Sequence, residues 1–135
     1  MSITIKTENQ IGKMRRAGEL LAKVEALLEK NVLPGVTTAY LDQLAEDYIR
    51  SHGAVPSFKG YGGFPATLCT SINEEVVHGI PGERILKEGD ILSVDMGCIL
   101  NGYHADMART YAVGEISAEA KKLIEVTKES FFEGI

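Results

Sequence analysis

Ile91-Leu-Ser-Val-Asp-Met-Gly-Cys-Ile-Leu-Asn-Gly-Tyr-His-Ala-Asp-Met-Ala-Arg-Thr-Tyr-Ala-Val113 is the stretch of sequence that decides the fold of this chain. It consists of two runs rich in apolar residues, joined by Asn101-Gly102. An Asn-Gly pair between two such runs is the strongest short-range signal for a two-residue β-hairpin loop, because both loop residues need a positive φ. The stretch therefore predicts an antiparallel hairpin with this pair at its tip.

The hairpin register places two carboxylates on one face of the sheet. If Asn101-Gly102 forms the loop, Asp95 lies opposite Ala108 and Asp106 lies opposite Gly97. Side chains alternate between faces with a period of two, so both aspartates point to the same side as diagonal neighbours roughly 7 to 8 Å apart. Like charges at this distance repel, and burial among apolar strands penalises each of them further.

Two explanations of the paired aspartates remain open at this point. A divalent cation supplies the opposite charge and takes oxygen ligands, and two such ions share a carboxylate in many hydrolytic sites. Alternatively, the aspartates are solvated, or they pair with Arg109 or a lysine. The second explanation must account for the apolar residues around them, which are Val94, Met96, Ile99 and Met107.

Composition excludes several classes of protein. The 135 residues are 44% hydrophobic, which fits one ordinary globular domain. There are 14 Lys and Arg against 19 Asp and Glu, a net charge of −5, which disfavours nucleic acid or an anionic membrane as the main partner. No apolar run approaches the ~18 residues of a membrane span and no signal-peptide core is visible, so we expect a cytoplasmic protein. Cys69 and Cys98 are expected to be reduced, buried thiols.

The rest of the chain predicts three helices around a block of strands, an α+β class. A capping box at Thr7–Gln10 begins an amphipathic helix that ends before Pro34-Gly35. A second amphipathic helix begins at Thr37 or Thr38 and ends near Gly53. We expect the antiparallel hairpins to pack under these two long helices.

Between the second helix and the end of the chain, the sequence predicts short extended segments, a loop and a last helix. The residues Ala66–Ile72 and Glu75–Val77 are expected to be extended. The segment Lys59–Pro65 is a glycine-rich loop, and Ser117 is expected to cap a last helix.

Three motifs in this order resemble the type I methionine aminopeptidases. They are Asn73-Glu-Glu-Val-Val-His-Gly-Ile-Pro81, Gly89-Asp-Ile-Leu-Ser-Val-Asp-Met-Gly97 and Gly102-Tyr-His-Ala-Asp106. The resemblance implies the pita-bread fold, in which two α/β halves related by a pseudo-twofold axis hold a two-metal site between them. It also implies removal of the initiator methionine from new polypeptides, with a preference for a small second residue.

The resemblance assigns roles to individual residues of this sequence. Asp95 matches the aspartate that chelates one metal ion, and Asp106 matches the aspartate that bridges both ions. His78 matches the catalytic-site histidine that hydrogen-bonds the substrate around the scissile peptide, although a histidine between Val77 and Gly79 is by itself more often a core or loop residue. The positions that build the family's methionine pocket are Phe58, Tyr61, Phe64 and Cys69.

The sequence also departs from the family in one large respect. Family members are about twice as long, and their other metal ligands, a histidine and two glutamates, lie in the second half. Residues 1–135 therefore correspond to the N-terminal half of the catalytic domain, with a partial site for the two divalent ions (Co, Mn, Fe or Zn) of the complete enzyme. Two carboxylates supply at most about four oxygens, fewer than two such ions require. We expect the chain alone to be inactive.

The implied partners are the N-terminus of a nascent polypeptide as substrate, the missing C-terminal half, and a second copy of the chain in a homodimer through the exposed half-domain interface. Two alternatives remain. One is a non-catalytic pita-bread module that binds peptide N-termini or a ribosomal partner, although Asp95, Asp106 and His78 would then have no use. The other is a pita-bread hydrolase for another substrate, such as a prolidase or creatinase, although the loop Gly60–Pro65 favours methionine removal.

Overall fold

The structure is a computed structural model that describes residues 3–135. Three helices and four strands make an α+β fold, as the sequence predicts. The helices are α1 (Glu8–Glu29), α2 (Thr38–Ser51) and α3 (Ala118–Gly134), and the strands are β1 (Val55–Pro56), β2 (Leu68–Ile72), β3 (Ile91–Leu100) and β4 (Tyr103–Ala112).

Each helix begins at the capping residue that the sequence predicts. The side chain of Thr7 accepts a hydrogen bond from the backbone N–H of Gln10, and the Gln10 side chain accepts one from the backbone N–H of Thr7. Thr37 caps α2 and Ser117 caps α3 in the same way, through side-chain oxygens that accept backbone N–H groups. Local sequence therefore determines where the helices start.

Strand β3 is the centre of an antiparallel sheet. It pairs along its whole length with β4 on one side and with β1 and β2 on the other. The predicted hairpin register is confirmed, because Asp95 lies opposite Ala108 and Gly97 lies opposite Asp106. At the tip, Asn101 has a φ of 53° and its glycine neighbour a φ of 78°.

The core lies between α1, α2 and one face of this sheet. Every second residue of β3 is fully buried there, and the Cys98 thiol donates to the backbone carbonyl of Ala17 in α1 at 3.6 Å. These core residues of β3 are Leu92, Val94, Met96 and Cys98. The opposite face of the sheet is therefore left free of the helices. Helix α3 buries no side chain within the described chain.

Two predictions about the strands need correction. Glu75–Val77 is not extended but belongs to a loop, in which Val77 has a φ of 35° and His78 a φ of 50°. Strand β2 begins at Leu68 and not at Ala66; the backbone N–H groups of Thr67 and Leu68 donate to the side chain of Asp42 in α2. Both cysteines are free and buried, as expected. None of the helices in residues 3–135 is long and apolar enough to cross a membrane.

Candidate metal and substrate site

The face of the sheet turned away from the helices carries the two aspartates, and we call it the aspartate face; it comprises Cys69, Asp95, Gly97 and Asp106. Asp95 is half-buried and Asp106 is exposed. The Oδ1 atom of Asp95 is buried and accepts no hydrogen bond from any described residue. Buried polar atoms are normally hydrogen-bonded, so this oxygen is an exception that calls for a ligand.

The electrostatics of the site agree with this geometry. Burial raises the pKa of Asp95 above its ordinary value, and the negative charge of Asp106 raises it further. The backbone N–H of Met96 and a positive charge on His78 act on this pKa in the opposite direction. The dominant effects therefore penalise the ionised form, which a cation at the site would favour.

Within residues 3–135, no lysine or arginine forms an ion pair with Asp95 or Asp106. Arg109, considered as a partner at the sequence level, lies opposite Val94 on the core side of the sheet, and its Nε is 3.8 Å from Oε1 of Glu25. Neither aspartate forms a salt bridge anywhere in the described part of the chain. The orphaned oxygen and the uncompensated charge both fit a divalent cation. Residues 3–135 contain no group of three or more His, Cys, Asp or Glu placed to hold one.

Cys69 forms one side of the aspartate face. It lies directly opposite Asp95 in the β2–β3 pair and is 5% exposed. Burial raises the pKa of its thiol to about 11, with further contributions from the charges of Asp95, Asp106 and Asp42. At neutral pH and without a metal ion the group is therefore a protonated thiol, which gives the aspartate face a soft apolar wall.

Phe58 forms another side of the aspartate face, where it packs against Gly97. A Cβ built on Gly97 would lie 3.0 Å from Cε1 of Phe58 and 3.0 Å from Cβ of Ser57. The backbone N–H of Ser57 donates to the Gly97 carbonyl at 2.9 Å, which holds this segment against β3. Of the other predicted pocket residues, Phe64 is half-buried and Tyr61 is 82% exposed. The described chain thus brings Phe58 to the aspartate face and leaves Tyr61 in solvent.

An ion pair that the sequence did not reveal anchors the glycine-rich loop to α2. Lys59 Nζ lies 2.6 Å from Oε2 of Glu46, and Arg50 Nε lies 2.8 Å from Oε1 of the same carboxylate. The hydrogen bond from Lys59 is the main cause that lowers the pKa of Glu46. Because Lys59 follows Phe58, this pair fixes the start of the loop beside the aspartate face.

His78 lies on the loop after β2, is exposed, and is close enough to Asp95 for its charge to affect the pKa of that carboxyl. Its left-handed backbone is shared with Val77, for which a φ of 35° is a genuine outlier because the residue is β-branched. Such conformations cost about 1 to 3 kcal/mol each and persist only when the surrounding structure imposes them.

His104 lies opposite Ile99, on the same side of the sheet as the two aspartates, and it is exposed. Its Nδ1 lies 3.1 Å from the hydroxyl oxygen of Ser57. No local pattern indicates this contact, because the two residues are far apart in the chain.

The chain belongs to metallopeptidase family M24, whose family model matches residues 12–135. Among curated relatives, it is 63% identical over 134 residues to the methionine aminopeptidase of Clostridium acetobutylicum, covering 98% of this chain and 54% of that protein. It is 54% identical to methionine aminopeptidase 1 of Bacillus subtilis, covering 98% of this chain and 54% of that protein.

Solved structures give the same result for the fold. The crystal structure of methionine aminopeptidase from Rickettsia prowazekii matches with a TM-score of 0.97 at 43% identity, covering 99% of this chain and 54% of that one. The prolidase from Pyrococcus furiosus has a TM-score of 0.81 at 22% identity, covering 93% of this chain and 36% of that one, and it shares the fold alone. The predicted pita-bread architecture is confirmed. The chain spans about half the length of the curated relatives it matches.

Proposed function

We propose that residues 1–135 are the N-terminal half of a methionine aminopeptidase catalytic domain, which removes the initiator methionine from nascent polypeptides in the cytoplasm. The observation that carries this proposal is the aspartate pair on one face of the sheet, with a buried oxygen of Asp95 that no described residue satisfies. Support comes from relatives of that name at 63% and 54% identity.

In the proposed site, two divalent ions (Co, Mn, Fe or Zn) would be held by Asp95 and Asp106 together with ligands from the second half. When bound, such ions supply a Lewis acid for the peptide carbonyl and an activated water. Asp95 would chelate one ion and Asp106 would bridge the two.

The chain's other residues would orient the substrate. His78 would hydrogen-bond the peptide around the scissile bond, and its exposed ring leaves it free to do so. A protonated Cys69 thiol and the Phe58 ring flank the aspartates on two sides, a soft apolar wall suited to a thioether. The proposed methionine pocket consists of Phe58, Tyr61, Phe64 and Cys69.

Methionine release tests the proposal. We would join the chain to the second half of the Clostridium acetobutylicum enzyme and supply Met-Ala-Ser with Co, Mn or Fe(II). The joined protein should release methionine and the 135-residue chain alone should not, because its ligand set is incomplete. Asp106→Ala should abolish release in the joined protein, and Asp47→Ala, a change at an exposed aspartate of α2, should not. A joined protein that binds metal and releases nothing would favour the binding module, and release from Xaa-Pro peptides alone would favour a prolidase.

We also propose that the chain alone forms a homodimer. Helix α3 exposes an apolar set, of which Leu123 is 59%, Val126 48%, Phe131 58% and Phe132 57% exposed. Exposed apolar side chains on a helix often mark an interface, here with the second half or with a second copy. Sedimentation should show a dimer that Val126→Glu disrupts and Glu125→Gln leaves intact. A monomer at all concentrations, unchanged by Mn, would contradict the proposal.

A further inference from the structure

The backbone of Val77 and His78 is strained, yet the loop that contains it is exposed. Something outside the loop must therefore impose its conformation. We propose that Ser71 and Gly79 are positioning residues that fix the backbone of His78 by fastening the loop to the outer edge of β2. The functional meaning of this inference rests on the proposed function, in which His78 contacts the substrate.

The outer edge of β2 supports this assignment. Three backbone N–H groups of β2 point away from β3, and each has a different acceptor. Leu68 donates to Oδ1 of Asp42 at 2.7 Å, Thr70 donates to the carbonyl of Gly79 at 2.8 Å, and Ile72 donates to Oε2 of Glu75 at 2.8 Å. The loop that contains His78 supplies two of these acceptors, the Glu75 carboxylate and, at the centre of the edge, the Gly79 carbonyl.

Gly79 is also held to β2 by a second hydrogen bond, through its backbone N–H. The backbone N–H of Gly79 donates to the hydroxyl oxygen of Ser71 at 3.3 Å. Ser71 is 4% exposed, so its side chain is held in place by its surroundings. Gly79 is thus attached to two consecutive residues of β2 through both its carbonyl and its amide.

Only a glycine permits this approach. A Cβ at position 79 would overlap the carbonyl group of Thr70, which is backbone and cannot move aside as a flexible side chain can. Gly82, three residues further along the same loop, has no atom within 4 Å of a Cβ built on it. The requirement for glycine is therefore specific to the residue that follows His78.

Hydrogen exchange on the 135-residue chain tests the attachment directly. The Thr70 amide has the Gly79 carbonyl as its acceptor, so its protection reports the attachment. Gly79→Ala should accelerate exchange at Thr70 by about tenfold or more, the factor that corresponds to about 1.4 kcal/mol. The Leu68 amide should keep its protection, and Gly82→Ala should change neither amide.

A second pair of variants tests whether the Ser71 hydroxyl holds the loop. Ser71→Ala should shift the backbone resonances of Val77 and His78 and increase their mobility, because one of the two attachments is gone. Ser93→Ala removes a hydroxyl from the adjacent strand, where its partner is Thr110 at 2.9 Å, and should leave the loop unchanged. Unchanged Thr70 exchange in Gly79→Ala, or equal loop shifts in Ser71→Ala and Ser93→Ala, would overturn the inference.

Kinetics of the joined protein separate this inference from the proposed function. Gly79→Ala should lower kcat with metal content unchanged, and His78→Ala with Gly79→Ala should lose no more activity than His78→Ala alone. Additive losses in an active protein would mean that Gly79 does not act through His78, while the proposed function stands. If His78→Ala has no effect on kcat, the role of His78 fails, and the exchange data still decide the attachment.

Discussion

Gly97 lies directly opposite Asp106 across the β3–β4 hairpin, and the space that a side chain at position 97 would occupy is taken by Phe58. The absence of a side chain therefore does two things at once. It lets an aromatic ring approach the sheet, and it brings that ring beside a carboxylate of the candidate metal site. The facing pair of Gly97 and Asp106 thus provides both the space for the Phe58 ring and a carboxylate of the candidate metal site.

Gly97→Ala should destabilise the chain by about 1 to 3 kcal/mol, because the added methyl would meet Phe58 and the Cβ of Ser57. Urea unfolding measures the change. Gly18→Ala, the same change at an exposed site of α1 with no atom within 4 Å of the new Cβ, should stabilise by up to about 1 kcal/mol. Equal stabilities for Gly97→Ala and the parent chain would show that the ring is not packed against β3.

Asp95→Asn should stabilise the metal-free chain by about 1 kcal/mol at neutral pH, because it removes a charge that burial and Asp106 both penalise. Unfolding in the presence of a chelator measures this. Asp47→Asn, at an exposed position of α2, should change stability by less than about 0.5 kcal/mol. A loss of stability in Asp95→Asn would mean that the carboxylate is compensated within the chain.

Asp42 joins α2 to the start of β2 and hence to Cys69. One oxygen of its carboxylate accepts the backbone N–H groups of Thr67 at 2.9 Å and Leu68 at 2.7 Å. Asp42→Ala should cost about 1 to 3 kcal/mol, since both partly buried donors lose their acceptor. Asp42→Asn keeps an oxygen at this place and should cost much less. Thermal unfolding distinguishes the two, and equal losses would show that the hydrogen bonds contribute nothing.

Glu46→Gln should remove part of the acid sensitivity of the fold. Lys59 and Arg50 lower the pKa of Glu46 below its ordinary value of 4.5, so its ion pairs stabilise the folded state above that pH. This contribution, about 1 kcal/mol for half-exposed cations, is lost as the pH falls through the lowered pKa. The difference in stability between the parent chain and Glu46→Gln should therefore be present at neutral pH and disappear in acid.

The exposed Glu129 provides the matched control for that experiment. Glu129→Gln should leave the pH profile of unfolding unchanged. A constant difference between the parent chain and Glu46→Gln at every pH would attribute the effect to packing and not to charge.

The hairpin could be predicted from sequence because its information is local. Asn101-Gly102 sets the turn, the turn sets the register, and the register alone puts Asp95 and Asp106 on one face. The same register places Arg109 on the other face, so the alternation of side chains could also have excluded it as a partner. The helix starts were equally predictable, since a cap involves residues three apart.

The loop that carries His78 could not be predicted in this way. Glu75–Val77 has the composition of a strand, and a β-branched residue with a positive φ has no local signal. The conformation depends on the approach of Gly79 to Thr70, a contact made only in the folded chain. The ion pair between Glu46 and Lys59 could not be predicted for the same reason. Each residue is a single charge in a different element, and no local pattern indicates that the two side chains meet.

We propose that Asp95 and Asp106 are this chain's contribution to a metal centre, and a Mn(II) titration followed by electron paramagnetic resonance tests this proposal most directly. The 135-residue chain should bind Mn(II) weakly, with a dissociation constant of about 10⁻⁴ to 10⁻³ M, as expected for a few oxygen ligands without a complete site. Asp95→Asn and Asp106→Asn should each abolish this binding, and Asp47→Asn should leave it intact. Absence of bound Mn(II) in the parent chain, or undiminished binding in Asp106→Asn, would contradict the claim.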